Sequence, residues 1–207
     1  FLGNIPFAPL VNLLGSFPNI PMHIGSTGFF DACLTLPPRH PHVVAWQAHW
    51  REGYTKCFEV HDILAKWLKS HHYAIDERRW LPHATLCRVP FEPEKWKQAF
   101  TPLPFYTNNI HLYESVGNLT YNPIWSFPIL DPFEEIEHTA DMAFIVRGET
   151  LLELFHHAFA ALAFKAPELL DYYMAGPVTS LVDIIVLLNA IICQTDAAVG
   201  CPMKAVS

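Results

Sequence analysis

All six tryptophans of this 207-residue chain lie in its first 132 residues. The same stretch holds fifteen of the eighteen prolines and nine of the twelve histidines, and its ten Lys+Arg balance ten Asp+Glu. Residues 133–207 hold three prolines, and three Lys+Arg against ten Asp+Glu, so the whole formal charge of −7 sits there. One continuous core does not change character so abruptly. The break at Leu130-Asp131-Pro132 predicts two units, 1–132 and 133–207, joined without a flexible linker. With 51% apolar and 16% charged residues, both have material for a packed core, and disorder is excluded.

A mean hydropathy of +0.18 raises the question of a membrane span. The most apolar run, Leu181 to Cys193, is interrupted by Asp183 and Asn189 and is shorter than the ~20 residues a bilayer requires. It reads as a buried helix. The five cysteines are odd in number and contain no C-x-x-C, which argues against a disulfide framework or a zinc site and for a reducing compartment. No segment of signal-peptide form opens the sequence, so the expectation is a cytoplasmic protein.

The fold class expected of both units is α+β. In the first, Phe29–Leu36 and His42–Gln47 have strand character around the Pro37–Pro41 turn. Cys57, Val60, Ile63, Leu64, Trp67 and Leu68 recur at helical spacing, predicting a helix over 54–70. His83–Arg88 reads as a strand entered through Pro82, Glu92-Pro93-Glu94 as a helix start, and Ile110–Ser115 and Trp125–Leu130 as further strands. In the second, Met142–Val146 is a strand ending at Gly148. Thr150-Leu151-Leu152-Glu153 and Ser180-Leu181-Val182-Asp183 are capping boxes that open helices. The adjacent pairs His71-His72 and His156-His157 read as surface residues on helices, not as metal ligands.

On the strand Trp80-Leu81-Pro82-His83-Ala84-Thr85-Leu86-Cys87-Arg88, His83 and Thr85 project to one face, because side chains two apart do so. An imidazole that titrates near neutrality moves protons, and a hydroxyl beside it donates to a phosphate oxygen. The pair is half a phosphodiester site; a packed strand with one hydrogen-bonded histidine shows the same two residues. Arg88 suits a bidentate phosphate contact, although strict alternation turns it away from His83. Trp46, Trp80 and Tyr113 are available either for core packing or for stacking on bases.

Pro-His-x-Thr-Leu-x-Arg, placed after a helix and a turn, resembles the second signature of the 2H phosphoesterase superfamily, the 2′-5′ RNA ligase and RNA 2′,3′-cyclic phosphodiesterase group. Ile110–Ser115 resembles that family's closing strand, and Tyr121, Phe127 and Pro128 match the residues that come after that strand. His42–Trp46 matches an early strand of the second lobe. The resemblance implies a two-lobed fold in which two His-x-Thr/Ser motifs face each other across a cleft. One histidine is then base and the other acid, with no cofactor, and the hydroxyls hold the phosphoryl oxygens. His83 and Thr85 take the second motif's roles. Residues 1–82 contain no His-x-Thr/Ser. The opening Phe1-Leu2-Gly3 resembles the end of the family's first motif, which implies a first histidine just before Phe1. Without it the unit would be a one-histidine domain that binds but does not cleave.

Phe133-Glu134-Glu135-Ile136-Glu137-His138-Thr139-Ala140-Asp141 is an acidic strand leading into a turn. Asp141 there either caps the turn or binds a hard cation through oxygen. His-Thr-Ala-Asp after such a strand, followed by a strand to Gly148 and by Thr150–Phe164, resembles the start of archease. The likeness resumes at Leu187-Leu188-Asn189 and at Pro202–Ser207. It implies that Asp141 is a ligand to a divalent metal, Mg²⁺ or Ca²⁺, completed by residues beyond Ser207. It also implies that the half activates an RtcB-type RNA ligase. Together the two resemblances imply RNA end processing: hydrolysis of RNA 2′,3′-cyclic phosphate coupled to ligase activation, as in tRNA splicing or RNA repair. The expected partners are RNA ends and the ligase, with no membrane and no DNA. The alternative is a non-catalytic RNA-binding scaffold with a ligase activator.

Overall fold

The computed structural model describes residues 7–50, 56–75, 79–118, 120–137 and 142–200. In chain order its elements are α1 (Phe7–Leu13), β1 (Thr27–Leu36), β2 (Val43–His49), α2 (Lys56–Ser70), β3 (His83–Arg88), α3 (Pro93–Ala99), β4 (Leu103–Tyr106), β5 (Asn109–Gly117), β6 (Thr120–Pro128), β7 (Phe133–Ile136), β8 (Ala143–Val146), α4 (Leu151–Lys165) and α5 (Leu181–Val199). Short 3₁₀ turns lie at Leu14–Ser16 and Pro167–Tyr172. The class is α+β, and all strand pairings within sheets are antiparallel.

The chain forms two compact units. The first consists of residues 1–26, 52–80 and 107–131, the second of 27–51, 81–106 and 132–207. The last crossing, between Asp131 and Pro132, falls on the composition break. The earlier crossings leave no mark in composition, because Trp, Pro and His are spread over both sides of each.

In the first unit the β5–β6 hairpin lies against α2. Ile110, Trp125 and Phe127 share the hairpin's inner face, and they meet Cys57, Val60 and Leu64 at helical spacing on α2, together with the buried Ile20, Met22 and Ile129. Phe17 stacks on Trp125 with ring centroids 3.9 Å apart. His71 and His72 lie beyond the end of α2, in a turn where His72 takes the left-handed conformation, φ 64. They are not on the helix, as the sequence suggested.

In the second unit the strand order is β3-β2-β1-β4, with the β7–β8 hairpin as a separate pair. Phe29 on β1 packs into a core built by α4, the Pro167–Tyr172 turn and α5, around Phe155, Phe159, Leu169 and Ile191. Gly148 permits the entry into α4, since a Cβ there would meet the Leu154 backbone nitrogen at 2.6 Å. Thr150 caps α4 by accepting from the Glu153 amide at 3.1 Å. The Glu153 carboxylate reaches back to the Glu149 amide at 2.8 Å, one residue before the partner that a capping box uses. His157 is buried, and its Nδ1 bonds the Arg147 carbonyl, so it is no surface residue.

The apolar run at Leu181 was expected to be buried, and the structure corrects this. As α5 it extends to Val199, long and apolar enough by length and composition to cross a membrane. Ile184, Ile191, Ile192 and Thr195 are buried, while Leu181, Val182, Ile185 and Val186 are exposed. A helix apolar on every side gives no periodicity from which to choose its buried face. Its start is a full capping box between Ser180 and Asp183. Thr179 also donates its hydroxyl and its amide to the Asp183 carboxylate, at 2.7 and 2.8 Å. The Thr179 hydroxyl and amide, followed by the Ser180 hydrogen bonds, hold the Asp183 carboxyl below the usual range.

Ser180→Ala should therefore destabilise the protein by about 1 kcal/mol in urea unfolding. The depressed Asp183 value contributes stability that is present above the ordinary carboxylate value and lost as pH falls through the lower, folded one. Wild type should accordingly lose stability over this acidic range more steeply than Asp183→Asn does; matching acid profiles for the two would refute the role of the cap.

Candidate functional site

β3 is an edge strand of its sheet, pinned at both ends to β2. The Ala48 amide donates to the Pro82 carbonyl at 3.0 Å and the Val89 amide to the His42 carbonyl at 3.1 Å. Between these clamps the register runs Gln47↔His83, Trp46↔Ala84, Ala45↔Thr85, and then skips to Val44↔Cys87 and Val43↔Arg88. Leu86 is the extra residue of a β-bulge. Cross-strand partners share a face, so His83, Thr85 and Arg88 project on one side with Gln47, Ala45 and Val43. Strict alternation turns Arg88 away from His83; the bulge brings it back, and that expectation is corrected.

All three side chains are exposed. Along the strand His83 and Thr85 are separated by roughly 6–7 Å, about the span of a phosphate group and its contacts. The His83 Nδ1 lies 2.7 Å from the Leu81 carbonyl oxygen. A carbonyl only accepts, so Nδ1 donates, and the neutral ring carries its lone pair on Nε2. Among the described residues neither the Thr85 hydroxyl nor the Arg88 guanidinium has a hydrogen-bonding or ionic partner. The opposite face is packed: Trp46 contacts Phe30 and Phe100. Cys33, the cross-strand partner of Trp46, has its thiol pushed up by burial, which makes it a poor nucleophile.

Asp141 lies outside the described residues, as do His138 and Thr139. Of the carboxylates just before it, Glu134 pairs with Arg147 at 2.8 Å and Glu135 with Lys165 at 2.6 Å. Among the described residues no group of three His, Cys, Asp or Glu side chains is placed to hold a metal.

The first unit contains a cleft of about 780 Å³ between α2 and the hairpin. Its walls include Trp67, Trp80, Trp125 and Tyr121, with His61, His111, Asn109 and Glu114 among its polar groups. Trp80 lies parallel to His61, the ring planes 7° apart and the centroids 4.9 Å apart. Trp80 and Tyr113 are thus on a cleft, whereas Trp46 belongs to the packed sheet face of the other unit. Trp67 and Glu114 carry no functional signal in the sequence, because a helical Trp in an apolar stripe and a lone strand carboxylate look like core and solvent-facing residues. Comparison with family models, with curated proteins and with solved structures returns no match.

Proposed function

We propose that the chain is an RNA end-processing protein: a 2H-type phosphoesterase half that hydrolyses RNA 2′,3′-cyclic phosphate, fused to an archease-type half that activates an RtcB-type RNA ligase. The observation that carries the phosphoesterase reading is the shared exposed face of His83, Thr85 and Arg88 on a doubly pinned edge strand. In the reaction a water oxygen bonds to phosphorus while the bond from phosphorus to one ribose oxygen breaks. The water proton passes to one imidazole and the freed oxygen receives a proton from another, so the cyclic diester and water become a monoester with a free hydroxyl. His83, with Nδ1 held by Leu81 and Nε2 free, supplies one of the two imidazoles. Thr85 donates to a phosphoryl oxygen, and Arg88 offsets the negative charge.

The archease-type half would hold a divalent ion, Mg²⁺ or Ca²⁺, through Asp141. This half is acidic, which suits a cation or a basic partner. The protein then acts in the cytoplasm on RNA ends, with the ligase as its protein partner and with neither DNA nor a membrane involved.

The full-length protein should convert a 2′,3′-cyclic nucleotide to a nucleoside monophosphate and should raise the multiple-turnover rate of an RtcB-type ligase. Asp141→Ala should abolish the second effect and leave the first intact. Binding of cyclic phosphate ends without turnover would replace the enzyme by the non-catalytic RNA-binding scaffold. Ligase turnover unaffected by the protein would sink the activator half.

A further inference from the structure

Opening a cyclic phosphodiester uses one imidazole on the attacking water and another on the departing ribose oxygen. His83 offers one, and the exposed face of its own sheet offers a second. On β2, His49 comes two residues after Gln47, the cross-strand partner of His83. Side chains two apart on a strand share a face, so His49 projects on the side that carries His83, Thr85 and Arg88. The two histidines are diagonal neighbours on adjacent strands, roughly 7–8 Å apart along the backbone. The attacking and leaving oxygens lie on opposite sides of phosphorus, and each imidazole reaches its own oxygen at roughly 3 Å. A diagonal pair leaves room for a phosphate between the rings, whereas directly opposed partners, roughly 5 Å apart, would not.

His49 is also held as a proton-transfer group must be. The Asp31 carboxylate lies 3.4 Å from its Nδ1, and the Phe29 ring meets it edge-on with centroids 5.1 Å apart. Phe29 itself packs against the helical core of the unit, so the imidazole leans on a fixed support. Asp31 reaches Nδ1 because it is the extra residue of a bulge in β1, where the register passes from Phe30↔Ala48 to Ala32↔Gln47. A carboxylate only accepts, so the proton stays on Nδ1 and the lone pair on Nε2. The side chain is 46% exposed and open to a substrate. The other described histidines of this unit do not compete for the place. His156 bonds the Tyr173 hydroxyl at 3.1 Å, His157 is buried, and His40 and His42 lie at the far end of β2.

We propose that His49 is the second imidazole of this site, positioned by Asp31. The inference rests on the phosphoesterase reading and completes its acid–base pair within one sheet. Asp31 faces the positive charge that His49 gains with a proton, so His49 takes the role of base and His83 that of acid. The water proton passes to Nε2 of His49 as the water oxygen bonds to phosphorus. The bond from phosphorus to one ribose oxygen breaks, and that oxygen takes the Nε2 proton of a protonated His83. Proton exchange with solvent returns both rings to their starting states.

Steady-state opening of 2′,3′-cyclic AMP by the full-length protein tests this assignment. His49→Ala should lower kcat by about 10²–10⁴-fold, and added imidazole should restore part of the loss. Asp31→Asn should lower kcat by less and leave KM unchanged. His40→Ala, in the turn before β2, should behave as wild type. Circular dichroism checks that the variants retain the fold. If wild type turns over and His83→Ala is impaired while His49→Ala is not, the inference fails alone, and the second imidazole comes from elsewhere. A loss in His49→Ala that imidazole does not restore would make His49 a packing residue. If wild type leaves the cyclic nucleotide intact, the phosphoesterase reading falls and takes this inference with it.

Discussion

If the chain has the proposed phosphoesterase activity, replacing His83 by alanine should lower the rate of 2′,3′-cyclic nucleotide opening by about 10²–10⁴-fold, the range that a positioned proton-transfer group contributes. The loss should fall on kcat and leave KM nearly unchanged, because in the proposed role the imidazole would move a proton in the transition state and add little to ground-state binding. The geometry explains why one residue is worth this much. The 2.7 Å bond to the Leu81 carbonyl fixes the ring and leaves one nitrogen for chemistry. His83→Gln, which has polar atoms but cannot take up and release a proton, should lose as much as alanine. Thr85→Val should cost less in kcat, since it removes one donor to a phosphoryl oxygen and no proton-transfer step. Arg88→Ala should act mainly on KM, through lost attraction for the substrate's charge. Steady-state kinetics on the four variants separates these roles. A His83→Ala enzyme with unchanged kcat would remove β3 from the active site.

The separate legibility of His83 and Arg88 shows which kind of information a sequence carries. The bounds of β3 are readable because Pro82 stands before it and Val89-Pro90 after it, and prolines punctuate strands. The shared face of His83 and Thr85 follows from a period of two. The position of Arg88 does not, because the bulge at Leu86 has no glycine and no local signal; it arises from how β3 registers on β2, some forty residues earlier in the chain. β4 is illegible for a related reason. Pro102 and Pro104 argue against a strand, yet β4 is the far edge of the sheet, where a proline is tolerated. The two compact units are legible only at Asp131-Pro132, since the other crossings exchange segments of similar composition. The aromatic cleft of the first unit combines side chains from α2, from Trp80 and from the hairpin. Only the fold brings those together.

Removing the ring of Phe155 should be the most damaging change to stability. Phe155 is 1% exposed at the centre of the helical core of the second unit. It is near Tyr173, with ring centroids 6.0 Å apart, and its neighbours along the helix face are the buried Phe159 and Ala163. α4 cannot shift inward to fill a hole there. Gly148 already places its first turn against the preceding loop, and Thr150 and Glu153 fix the turn by hydrogen bonds. Phe155→Ala therefore leaves a cavity as well as losing transfer energy, and costs about 3–5 kcal/mol. For a chain of this size the melting temperature should fall on the order of 10 °C. Phe155→Leu should retain more than half of the stability, because it keeps most of the volume. The control is Tyr113→Ala: Tyr113 is 51% exposed, and its loss should change stability by less than about 0.5 kcal/mol. Urea unfolding of the three variants decides between a closed core and a loose one. A loss below about 1 kcal/mol at Phe155 would mean that α4 can collapse into the space, and that the constraints at Gly148 and Thr150 do not fix it.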